Sequence, residues 1–134
     1  QLIPYQNLTG YKIEKLLTLK PISMKGCCFI TTATCEALGL DDDCEELATM
    51  RWFRDHVLAT NDVGCRAIDE YYEIAPAIVA AIDQTQDSTT IYQDIYFLYL
   101  APAVAAIHQG RHAEASDRYR QLVEMLQLRF GVTR

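Results

Sequence analysis

Apolar residues recur at steps of three and four along most of this chain, the spacing of one face of a helix. Leu47, Met50, Phe53 and Val57 form such a stripe and predict a helix over about 44–59. A shorter helix precedes it, capped by Thr31 or Thr32 and stopped by Gly39. Two longer segments follow, "RAIDEYYEIAPAIVAAI" behind an Asn61 or Asp62 cap and "YQDIYFLYLAPAVAAI" behind Asp87 or Ser88. Gly110 ends the second of these. A last helix is predicted over about 113–130, with Ala115, Tyr119, Leu122 and Leu126 on its buried face and Glu114 paired with Arg118. Strict alternation of polar and apolar residues is absent, so no sheet is expected. The pattern predicts an all-α fold, a compact bundle of about five or six helices.

Both long segments carry an Ala-Pro step, at 75–76 and 101–102. Proline gives no N–H to the carbonyl four residues back and its ring crowds that carbonyl. The carbonyls concerned are those of Tyr72 and Leu98, so two helices kinked at the Ala-Pro steps are expected.

Composition narrows the class without naming an activity. The chain has 134 residues, half of them apolar, enough for one domain with its own core. Residues 1–25 read as a lead-in segment with one short helix, about 9–19, and residues 26–134 as a single helical domain. A formal charge of −6 argues against nucleic acid, which is bound through basic surface. The apolar run 91–107 is broken by Asp94 and Pro102, so it is expected to be a buried helix and not a membrane span. The five cysteines are an odd number crowded into the first half, which fits a reduced, cytosolic protein better than a disulfide scaffold. The chain begins with Gln1 and not with methionine, so a fragment or a processed form is expected.

Four of those cysteines lie in "GCCFITTATCEALGLDDDC", residues 26–44. Cys28, Cys35 and Cys44 form the candidate thiol site, and three readings stand side by side. They can be small buried hydrophobes, the commonest role of an unbridged cysteine. They can be soft ligands for zinc or iron, although the spacings lack the paired C-x-x-C units of structural zinc sites; no cofactor is otherwise predicted. Cys44 can also be a reactive thiol, since it opens a helix where the dipole favours a thiolate, against the opposing charge of Asp41, Asp42, Asp43, Glu45 and Glu46. Helical geometry places Cys35 nearer to Cys44 than Cys28 is, because seven residues of helix span roughly 10 Å.

Other candidates are weaker. Arg51, Arg54 and Asp55 in "RWFRD" read as a structural ion-pair network, with Arg51 and Asp55 four residues apart. His108 and His112 share that spacing, but Gly110 and Arg111 interrupt the helix, so a solvated loop is expected in place of a metal pair. No acid/base pair, phosphate loop or nucleophile constellation is recognisable. No catalytic residue is assigned, and an enzyme is not the favoured reading.

Several of these residues recur in an order that resembles a bacterial family named for its CFI box, found at the C-termini of larger proteins. The matching positions are Cys28, Phe29, Ile30, Thr32 and Ala33, then Cys44, then Arg51, Phe53, Arg54 and Asp55, then Tyr71, Tyr72 and Pro76. The resemblance covers about residues 26–82 and implies a bacterial C-terminal module; it brings no activity with it. Together these readings lead to a helical interaction or scaffolding module in a larger cytoplasmic protein, with a protein partner. The alternative is a thiol-centred module that binds a metal or senses redox state. Oligomeric state is not legible.

Overall fold

The computed structural model describes residues 29–132, and every regular element in them is helical. The order is α1 (Phe29–Ala37), α2 (Glu45–His56), a 3₁₀ turn (Leu58–Thr60), α3 (Asp62–Asp83), α4 (Ser88–Ile95), a π turn (Tyr96–Leu100), α5 (Ala101–His108) and α6 (His112–Phe130). The π turn joins α4 and α5 into one run, so the described residues form a compact all-α bundle of five rods. The predicted lead-in helix, Cys27 and Cys28 lie outside the described residues.

Two adjoining cores hold the rods together. In one, the predicted stripe of Leu47, Met50 and Phe53 packs with Cys35, Leu100, Ala103, Ala106, Ile107 and Ala115, and Val57 lies half-buried at its edge. In the other, Ile30, Tyr71, Ile74, Ala75, Ile78 and Ile82 meet Ile91, Tyr92, Ile95, Leu122 and Leu126. Tyr72 and Tyr119 pack against both.

Helix α1 starts at least two residues before the Thr31 or Thr32 cap that the sequence suggests. Thr31 is buried inside the helix, and Thr34 turns its hydroxyl back to the Ile30 carbonyl at 2.7 Å. The Ile30 N–H donates to the Tyr71 hydroxyl at 2.8 Å. That bond ties α1 to a residue 41 positions away.

At the start of α3 the expected cap is present: Asn61 Oδ1 accepts from the Gly64 N–H at 2.8 Å. Gly64 itself has no room for a side chain, since a Cβ there would stand 1.8 Å from the Leu58 carbonyl oxygen.

Helix α3 is not broken at Pro76 and runs through it from Asp62 to Asp83. Pro76 faces outward while Tyr71, Ala75, Ile78 and Ile82 stay buried on the inner side, so packing holds the helix through the missing bond. Near Pro102 the hydrogen bonding does change. Ala101 N–H reaches back five residues to the Tyr96 carbonyl, the wider π pattern.

The pairing expected between Glu114 and Arg118 is also replaced. Glu114 accepts from Arg111 at 2.8 Å, and Arg118 Nη1 donates to the Leu98 carbonyl at 3.3 Å. That is the carbonyl that Pro102 cannot serve, which gives Arg118 a better use than a solvated ion pair.

By length and composition the run Ser88–His108 would suffice to cross a membrane. Its Ile91, Ile95, Leu100, Ala103 and Ala106 side chains are nevertheless buried in the bundle.

Candidate functional site

Cys35 sits in the last turn of α1 and is fully buried. Gly39, at φ 77°, ends that helix in a left-handed turn, with Leu40 N–H bonded to the Cys35 carbonyl at 2.8 Å and Gly39 N–H to Glu36 at 3.1 Å. A second turn, Cys44 N–H to the Asp41 carbonyl at 3.0 Å, folds the short loop back on itself. Cys44 therefore arrives at the N-cap of α2 beside the helix end it has just left. Its Sγ lies 3.7 Å from Cys35 Sγ, in hydrogen-bond contact, and neither is in a disulfide.

Two further groups complete the site. Tyr96, the first residue of the π turn, donates its hydroxyl at 2.6 Å to Oε2 of Glu46, two residues after Cys44. The Tyr96 hydrogen bond holds the Glu46 carboxyl below its ordinary range, against an opposing push from partial burial. In return the Tyr96 phenol is pushed up to about 12, first by that hydrogen bond and then by burial. At neutral pH Glu46 is thus a fixed acceptor and Tyr96 a fixed donor. The arrangement is a half-exposed thiol in front of a buried one, at a helix start that Glu46 joins to Tyr96.

The ion-pair network divides. Arg54 forks onto Asp55, Nε to Oδ1 at 2.6 Å and Nη2 to Oδ2 at 3.0 Å, and that bond holds the Asp55 carboxyl below its usual range. Arg51 does not reach Asp55 but donates to the Asp42 carbonyl at 3.4 Å. The loop before α2 offers Arg51 a partner that helical spacing alone could not show. Arg54 and Asp55 line an open groove of about 470 Å³ with Ala59, Cys65, Ile68, Asp69 and Tyr72.

The histidines are not in a solvated loop. His108 Nε2 lies 2.8 Å from Glu45 Oε2, and His112 is half-buried against Trp52 and Phe53, with ring centres 5.9 and 5.7 Å away. His56 stacks on Trp52 at 5.1 Å. All three therefore decorate α2, with no shared metal geometry: among the described residues no three His, Cys, Asp or Glu side chains gather as a metal-holding group.

Of the residues that carry the family resemblance, Ile30 and Tyr71 meet in the hydrogen bond at the start of α1. Thr32 and Ala33 are half-buried, and Pro76 faces solvent. Cys28 is outside the described residues. Glu46 and Tyr96, 50 positions apart, were not legible as partners, because nothing local connects them. No family model, curated protein or solved structure matches the chain.

Proposed function

We propose that this domain is a redox-responsive helical module whose switch is a reversible disulfide between Cys35 and Cys44. The observation that supports it is their 3.7 Å sulfur separation across a loop closed by two turns. A disulfide needs about 2.05 Å, so loop adjustment of a kind short surface segments allow would close it. Exposure is unequal in the useful sense: Cys44 meets solvent first, and Cys35 waits behind it as the resolving thiol. Zinc or iron finds less support, since the described residues add no third ligand.

Limited oxidation followed by peptide mapping tests this reading. A Cys35–Cys44 cross-link that reductant reverses, lost in Cys44→Ser and kept in Cys65→Ser, is the expected result. Oxidation that stops at a capped Cys44 without closing onto Cys35 would refute it.

The interaction reading keeps one observation of its own. The π turn presents Phe97 and Leu98 to solvent, 68 % and 56 % exposed, and π turns are frequent at functional sites. In a larger bacterial cytoplasmic protein of the CFI-box kind, that surface would be the place for a protein partner. Phe97→Ser should then weaken association while leaving the fold stable. Unchanged association would remove that surface from consideration.

A further inference from the structure

Resting on the dithiol reading, the charge around Cys44 carries a second step, toward the class of oxidant. Asp41, Asp42 and Asp43 are exposed immediately before Cys44, and Glu45 and Glu46 follow it in the first turn of α2. The cations nearby offset only part of this charge: Arg51, bonded to the neutral Asp42 carbonyl, brings one positive charge to the loop, and His108 faces Glu45. Five carboxylates thus flank Cys44 along the chain, and a reagent approaching its sulfur meets an excess of negative charge.

We infer that the Cys35–Cys44 pair is oxidised by small disulfides that carry no negative charge, and that the acidic rim excludes anionic ones. In the first step Cys44, as thiolate, attacks one sulfur of the disulfide, forming a mixed disulfide and expelling one thiolate. Cys35, as thiolate, then attacks the Cys44 sulfur and expels the second. The protein loses two electrons and two thiol protons, and the reagent is reduced to two thiols, so the exchange balances. The rim acts only on approach: like charge lowers the local concentration of an anionic reagent and raises that of a cationic one. Salt removes the effect as the Debye length falls from about 30 Å at 0.01 M to about 3 Å at 1 M.

The test compares closure rates with cystamine (cationic), hydroxyethyl disulfide (neutral) and glutathione disulfide (anionic). Each rate is divided by that of the same reagent with a neutral peptide thiol, which cancels intrinsic reactivity. Any influence of the rim on Cys44 itself is common to the three reagents and cancels in their ratios. The normalised cystamine rate should exceed that of glutathione disulfide by about tenfold or more at low salt, with the neutral reagent between. The gap should close near 1 M salt and shrink in Asp41→Asn/Asp42→Asn/Asp43→Asn. Equal normalised rates at low salt, or a preference indifferent to salt, would overturn the selectivity while leaving the dithiol reading intact. Failure of all three reagents to close the Cys35–Cys44 bond would overturn both.

Discussion

Helix α3 and the run from Ser88 to His108 have the same plan: aromatic residues, an Ala-Pro step and an alanine-rich half. They respond to their prolines differently. Helix α3 passes Pro76 as an unbroken α-helix, whereas the second run widens into a π turn before Pro102. The difference lies in apolar register. In α3 the buried positions Tyr71, Ala75, Ile78 and Ile82 advance by four, three and four, which a straight helix satisfies. In the second run Ile91 and Ile95 are followed by Leu100, a step of five. At about 100° per residue, Leu100 would stand roughly 140° round from Ile95 in a regular helix. The π turn absorbs the surplus residue and returns Leu100 to the buried side, just where the run crosses from one core to the other. Proline permits an irregularity; the spacing of buried residues decides whether one forms.

The strongest way to break this comparison is to change register by one residue in each run. Deleting exposed Ala77 from α3 would swing Ile78 and Ile82, both fully buried, out of line with the residues before them. At about 1.5–3 kcal/mol for each buried side chain, the cost should be roughly 3–6 kcal/mol in chemical denaturation. Deleting Phe97, 68 % exposed in the π turn, removes the surplus residue and leaves a step of four from Ile95 to Leu100. Its cost should be about a third of that or less. Equal losses for the two deletions would show that register does not explain the π turn.

Replacing the prolines sharpens the same contrast with a smaller effect. Pro76→Ala gives the Tyr72 carbonyl the N–H it would have in a regular helix and removes the ring from a segment that is already α-helical. The gain should be about 2 kcal/mol, after the more flexible unfolded chain takes back about 0.4–1 of the roughly 3 that an interior proline costs. Pro102→Ala should change stability by less than about 0.5 kcal/mol, because the π turn and Arg118 already accommodate the Leu98 carbonyl. A larger gain at Pro102 than at Pro76 would place the strain in the wrong helix for this account.

What could be read from the sequence divides along the same line. The all-α bundle and the Leu47–Met50–Phe53 stripe follow from local periodicity and are found as expected. So is the left-handed stop at Gly39, and with it the closeness of Cys35 and Cys44, since a short loop between two helix ends leaves them little choice; the expected greater distance of Cys28 falls outside the described residues. The step of five between Ile95 and Leu100 is also present in the sequence, but it marks a change of register only once the buried positions are known. The remaining differences arise from partners far along the chain. Tyr71 accepts from the Ile30 N–H, Tyr96 fixes Glu46, and Arg118 turns to Leu98 instead of Glu114. Helical spacing ranks neighbours within one helix and is silent about an offer from another.

The smallest effect concerns the junction of the two runs, where the Tyr92 hydroxyl donates to Asp83 Oδ1 at 2.7 Å. Burial pushes the Asp83 carboxyl above its ordinary range, more strongly than the Tyr92 hydrogen bond lowers it. The Tyr92 phenol is pushed up as well, by its own burial first and then by the Asp83 charge. A carboxyl whose folded value is raised contributes stability that is fully present below its unfolded value and is lost as pH rises through the folded one. Glu46 and Asp55 on α2 have lowered values and act in the opposite sense, losing their contribution as pH falls. Asp83→Asn keeps an acceptor for Tyr92 and removes the ionisation. It should raise stability at neutral pH by only a few tenths of a kcal/mol, because solvent screens a partly shielded group. That advantage should fade as the solution is taken below the ordinary carboxylate range, where Asp83 is protonated in the native chain too. The comparison is read from thermal or urea midpoints of both proteins across the acidic range. A constant difference at every pH would mean that hydrogen-bond geometry, and not charge, sets the contribution of this junction.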